Sequence, residues 1–145
     1  MKRIALLLSM SMFTAIACAS EATDALDAFH AALASGDKNR ATELLATDVT
    51  IYESGYVERS RAEYAGHHLP EDIVFAKNAN RKVLQTSERI EGKLAMIWQE
   101  TETRAKHKGK DIHIFGTETS LLEKQGEQWR IVHVHWSSRK SKITS

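Results

Sequence analysis

The feature that most constrains this chain is the run of long β-type segments that fills its second half. Arg81–Ile90, Lys93–Lys106, Ile112–Lys124 and Gln128–Ser138 are rich in β-branched and aromatic residues. Glu91-Gly92, Lys108-Gly109-Lys110 and Gln125-Gly126-Glu127 separate them as turn signals. Connections this short force neighbouring strands to run antiparallel, so the half reads as a four-stranded meander. Strands of such length accumulate twist and do not stay flat. A curved sheet with helices on one face encloses a hollow, and a hollow is the default binding site.

The first half supplies the helices. Ala22, Leu26, Phe29 and Leu33 recur at helical spacing, which predicts a helix over Ala22–Ala34 that Gly36 ends. Asp37 can cap a second helix whose Ala41, Leu44 and Leu45 face inward. Val49 and Ile51 alternate with Thr50 and Tyr52, as in a short extra strand. Ser60-Arg61-Ala62-Glu63 is a capping-box pattern, so a third helix starts at Ser60 and ends near Gly66, with Pro70 opposing continuation. The expectation is an α+β fold in which three N-terminal helices pack on a strongly curved antiparallel sheet.

The N-terminus carries an export pattern. Lys2 and Arg3 precede an almost wholly apolar stretch from Ile4 to Ile16, and Ala17-Cys18-Ala19 offers small residues at a cleavage site. The stretch is too short to span a bilayer. Residues 1–19 are therefore expected to be a signal peptide, and 20–145 one domain with a frayed tail from 138. The expected destination is the periplasm or the exterior, with lipoprotein processing at Cys18 the alternative. Cutting after Ala19 leaves 126 of the 145 residues, enough for one enclosed core. It also removes the single cysteine, so packing alone must hold the domain. Losing Lys2 and Arg3 from 20 basic residues leaves 18 against 19 acidic, a net charge of −1. That balance argues against nucleic acid as partner and against a membrane role beyond export.

The order of elements resembles the nuclear-transport-factor-2-like superfamily, in its SnoaL-like branch, which also resembles ketosteroid isomerase in fold. The residues carrying the resemblance are Ala25-Leu26-Asp27-Ala28-Phe29-His30-Ala31-Ala32-Leu33-Ala34-Ser35-Gly36-Asp37, then Gly116-Thr117-Glu118-Thr119, and the closing Trp129-Arg130-Ile131-Val132-His133-Val134-His135-Trp136-Ser137-Ser138-Arg139. The resemblance implies a cone with a pocket, often in a homodimer. It does not imply one activity, because such folds host isomerases, cyclases, hydrolases and non-catalytic domains.

Chemistry-bearing residues fall in two clusters. On the last strand, strict alternation puts Val132, Val134 and Trp136 on one face and His133 and His135 on the other, roughly 6.5–7 Å apart at Cα. Taking Gly126-Glu127 as a two-residue turn sets Glu118 opposite His135 and Ser120 opposite His133. A carboxylate there would fix the imidazole tautomer. The second cluster is His67, His68, Glu71 and Asp72, beyond the third helix, where the chain should loop across the mouth of the cone. His67, His68, His133 and His135 together would suit Zn²⁺ or Cu²⁺. An enzymatic use of the pocket would draw its base from Asp72, Glu118, His133 or His135, and its hydroxyl donor from Tyr52, Tyr56 or Tyr64, with Tyr52 the one expected to face inward.

Three functions follow as expectations. The first is an exported pocket protein that binds a small polar ligand or a metal ion. The second is an enzyme using acid–base chemistry in the same pocket. The third is a homodimeric association module, with Trp136 a candidate subunit contact.

Overall fold

The computed structural model describes residues 19–107 and 109–142. The expected export signal, residues 1–19, lies outside the described residues apart from Ala19. The element order is α1 (Glu21–Ser35), α2 (Lys38–Leu44), β1 (Leu45–Glu53), β2 (Tyr56–Glu58), α3 (Arg61–Gly66), α4 (Leu69–Lys77), β3 (Ala79–Glu91), β4 (Leu94–His107), β5 (Lys110–Gln125) and β6 (Gln128–Lys140). The six strands form one curved mixed sheet in the order β2-β1-β6-β5-β4-β3, with helices against its inner face.

Local chemistry accounts for the helix ends. Ser20 Oγ accepts the amide of Thr23 to open α1, and Gly36 closes it at φ 81°, a conformation that costs glycine little. Asp37 accepts the amide of Arg40, and Ser60 accepts that of Glu63, as their sequence positions predict. The stripe of Ala22, Leu26, Phe29 and Leu33 is buried against Leu45, Ile51, Ile97, Ile131 and Val134 of the sheet. Each fully buried Leu, Ile or Phe contributes about 1.5–3 kcal/mol by leaving water.

Three features depart from the sequence reading. The meander is present, but β1 is longer than expected, and the short β2 makes six strands; β1 pairs with β6 in parallel. The chain after α3 is a two-residue junction into a fourth helix, not a loop over the mouth. Pro70 does not stop a helix there, because a proline in the first turn forfeits only an amide that has no helical acceptor. Glu71 and Asp72 in that first turn suit the positive end of the helix dipole. Finally, β6 runs to Lys140, and the Ser141 amide donates to the His113 carbonyl, so residues 138–141 are tied to the sheet instead of frayed.

A β-bulge decides what faces inward. Gln125 does pair with Gln128 across the Gly126-Glu127 turn. Further along, Leu122 pairs with Ile131 but Leu121 pairs with His133, which leaves Val132 as an extra residue. Every later pairing shifts by one, and a shift of one exchanges the faces of a strand. Ile131 and Val134 are both fully buried, three residues apart, as the bulge requires.

Candidate functional site

The curved sheet, α1 and α4 enclose a cavity of about 640 Å³. Much of its wall is apolar, from Ala31, Leu33, Ala34, Phe75, Ala76, Ile114 and Trp136. Trp136 stacks on Phe29, with centroids 6.4 Å apart and planes 9° off parallel. It therefore forms part of the cavity wall. Gly116 forms part of the floor, where a Cβ would meet Thr101 Oγ1 at 2.7 Å.

Two acidic centres sit in this apolar setting. The first is Glu118 on β5, which is 4 % exposed. His30 Nε2 of α1 lies 2.9 Å from its Oε2, Arg81 of β3 donates at 3.2 Å, and the Ser120 hydroxyl donates to Oε1 at 2.8 Å. Arg81 also donates to Gln99 Oε1 at 2.7 Å. Burial by itself would raise the Glu118 pKa, but the His30, Arg81 and Ser120 partners outweigh it and hold the value down to about 2. Glu118 is thus a fixed anion, already satisfied on both oxygens.

The second centre is the pair Asp72 and Glu53. Asp72 projects from the first turn of α4, and Glu53 ends β1, on the inward parity shared by Val49 and Ile51. Asp72 Oδ2 accepts a 2.6 Å hydrogen bond from the hydroxyl of Tyr64, which is fully buried on α3. Burial raises the pKa of Asp72. The Tyr64 bond and the nearby His68 offset part of that rise, and Glu71 adds to it. Burial, then the charge of Asp72, pushes Glu53 up to about 7. Burial and the adjoining Asp72 keep the Tyr64 hydroxyl protonated. The two centres therefore differ in kind: one carboxylate is locked as an anion, and two others are shifted upward, Glu53 as far as about 7.

The structure separates the histidines that the sequence reading joined. The bulge places Glu118 opposite Trp136, and His135 opposite Thr119. His133 and His135 consequently lie on the outer face and line no part of the cavity. Tyr52, expected to look inward, is 42 % exposed and packs edge-on against His133 at 4.9 Å. Nδ1 of His133 lies 3.0 Å from the Thr50 carbonyl oxygen. Tyr56 is exposed beside His68, at 5.5 Å between ring centroids. His67 and His68 converge on the buried Glu58, away from the cavity lining. The four-histidine metal set is thereby corrected. Among the described residues, the one grouping of three such ligands is Glu58, His67 and His68.

Of the sequence candidates, Asp72 and Glu118 face the cavity. Glu53, His30 and Arg81 join them, and Tyr64 takes the place of Tyr52. Parity alone could have found Glu53, two residues beyond Ile51. Nothing local marks Arg81, whose partners come from other strands, or Glu58, whose partners lie nine and ten residues on, beyond α3.

The family model for SnoaL-like domains matches residues 22–139. A presumed ketosteroid isomerase from Shewanella frigidimarina is 38 % identical over 81 % of this chain and 95 % of its own, with a TM-score of 0.79. A presumed calcium/calmodulin-dependent protein kinase II association domain from Xanthomonas campestris is 19 % identical over 97 % of this chain and 100 % of its own, at 0.74. A presumed dehydratase from Streptomyces avermitilis is 16 % identical over 83 % and 95 %, at 0.69. The last two establish the fold alone. No curated protein matches the chain at a significant level.

Proposed function

The chain belongs to the SnoaL-like family of the nuclear-transport-factor-2-like superfamily, and from that premise we propose that it is a small-molecule enzyme performing acid–base chemistry in the cone. One observation carries the reading: Asp72 and Glu53, both shifted upward, face a largely apolar cavity, with the Tyr64 hydroxyl holding Asp72. A carboxylate so placed takes a proton from carbon or oxygen at neutral pH and returns it. The apolar walls suit a compact hydrophobic substrate with one carbonyl or hydroxyl group. Glu118, already paired with Arg81 and His30, serves to position those two side chains. The Shewanella relative, a presumed ketosteroid isomerase, is consistent with this class of reaction.

The test is exchange of α-protons from a panel of cyclic ketones and enones in D₂O, followed by NMR. Asp72→Asn should slow exchange by about 10²–10⁴-fold with the fold intact. If the parent protein leaves every ketone at the background rate, and none raises its melting temperature, the enzyme reading fails.

The same protein is proposed to be exported and to associate as a homodimer. Export rests on the Lys2-Arg3 start, the apolar stretch and the Ala17-Cys18-Ala19 site. N-terminal sequencing of the secreted or periplasmic product should begin at Ser20. Association rests on the outer sheet face, where Trp98, Thr119, His135 and Tyr52 follow one another across paired strands and Trp98 is 39 % exposed. Exposed aromatic side chains at both ends of that row, Trp98 and Tyr52, suit a self-complementary contact. Light scattering should report a dimer, and Trp98→Glu a monomer.

A further inference from the structure

The geometry points to a divalent metal site, made by Glu58, His67 and His68, outside the cavity lining. It would take a borderline transition-metal ion, Zn²⁺ or Cu²⁺. Glu58 is the last residue of β2, pairs with Ile51, and is 3 % exposed. His67 closes α3 and His68 precedes α4. Neither ring caps its helix: the His67 backbone amide serves as the cap, and the His68 side chain makes no cap hydrogen bond. Instead, Nδ1 of each ring is directed at the same oxygen, Glu58 Oε1, with His67 at 3.2 Å and His68 also bonded to it. The three ligand atoms lie within 4.8 Å of one another, and the ring centroids of His67 and His68 are 4.3 Å apart.

Two imidazoles and one carboxylate are the donor set that Zn²⁺ and Cu²⁺ prefer over Mg²⁺ or Ca²⁺. A metal held at about 2.0–2.2 Å by each donor needs them about this close together. With metal bound through Nδ1, each ring carries its proton on Nε2. The exposure gradient also fits an ion entering from solvent. The side chain of Glu58 is 3 % exposed, that of His68 21 % and that of His67 68 %, which leaves room beside His67 for water as a further ligand. A buried carboxylate is costly without a strong partner, and a divalent cation is a stronger partner than hydrogen bonds from two rings. None of the three residues lines the cavity, although His68 lies near enough to Asp72 to lower its pKa.

The experiment uses the purified protein without a polyhistidine tag, stripped with chelator. Zn²⁺ is titrated by calorimetry, and Co²⁺ by its visible d–d absorption as a probe of coordination. One equivalent should bind. His67→Ala, at an exposed position that leaves packing intact, should weaken binding more than about tenfold with an unchanged circular dichroism spectrum. His135→Ala, on the outer sheet face, should leave the affinity unaltered. Absence of stoichiometric Zn²⁺ and Co²⁺ binding would overturn the assignment, as would equal affinity in the parent and His67→Ala, or a loss in His135→Ala matching that in His67→Ala.

Discussion

The hydroxyl of Tyr64 donates a 2.6 Å hydrogen bond to Oδ2 of Asp72, joining α3 to the first turn of α4 inside the cavity wall. This bond opposes the upward shift that burial imposes on Asp72. Tyr64→Phe keeps the ring and removes the donor. The Asp72 pKa should then rise further, and the rising limb of any pH–rate profile should move to higher pH. Carbon-13 NMR of labelled aspartate, recorded across pH, checks this directly. An unmoved Asp72 titration would show that the bond does not control the carboxyl.

Glu118 should make the domain acid-sensitive in a defined window. Its folded value is depressed to about 2 from an ordinary 4.5, so its stabilisation is complete above pH 4.5 and disappears as pH falls toward 2. A shift of that size corresponds to about 3 kcal/mol, an order-of-magnitude figure. Urea unfolding at pH 7 should find Glu118→Gln destabilised by a comparable amount, because His30 and Arg81 lose their anion. Between pH 4.5 and 2 the variant's stability should vary less than the parent's.

Glu53 acts in the opposite direction. Its folded value is raised to about 7, so its contribution is complete below pH 4.5 and is lost as pH rises through 7. Glu53→Gln should therefore raise the melting temperature at pH 8 and change it little at pH 4. Differential scanning calorimetry at the two pH values decides the matter.

Gly116 should be sensitive to a single added carbon. It pairs with Thr101 across the β4–β5 ladder, and a Cβ would lie 2.7 Å from Thr101 Oγ1. Gly116→Ala should cost about 1–3 kcal/mol in urea unfolding. Thr101→Ala in the same protein should recover most of that loss, as expected when two positions share one clash.

What the sequence by itself determined was much of what is local, though not the helix that begins at Leu69. The apolar stripe of α1, the caps at Asp37 and Ser60, the Gly36 stop and the Gly126-Glu127 turn depend on residues within about one helical turn of each other, and all are seen. These, with the long β-type runs, were enough for the α+β cone. Tertiary structure decided which side chains meet. A single extra residue at Val132 reverses the parity of β6, carrying Trp136 into the cavity and His135 out of it. The signal was present but subtle: the apolar residues Trp129 and Ile131 are odd-numbered, whereas Val134 and Trp136 are even-numbered. Burial of both sets on one face, through packing on α1 and the neighbouring strands, selects the bulge over strict alternation. The partnerships of Glu118 with His30, Asp72 with Tyr64 and Glu58 with His68 each join separate elements. Their geometry exists only once the sheet has curved around the helices, because a side chain's charge state is set by its neighbours in space and not by its neighbours in the chain.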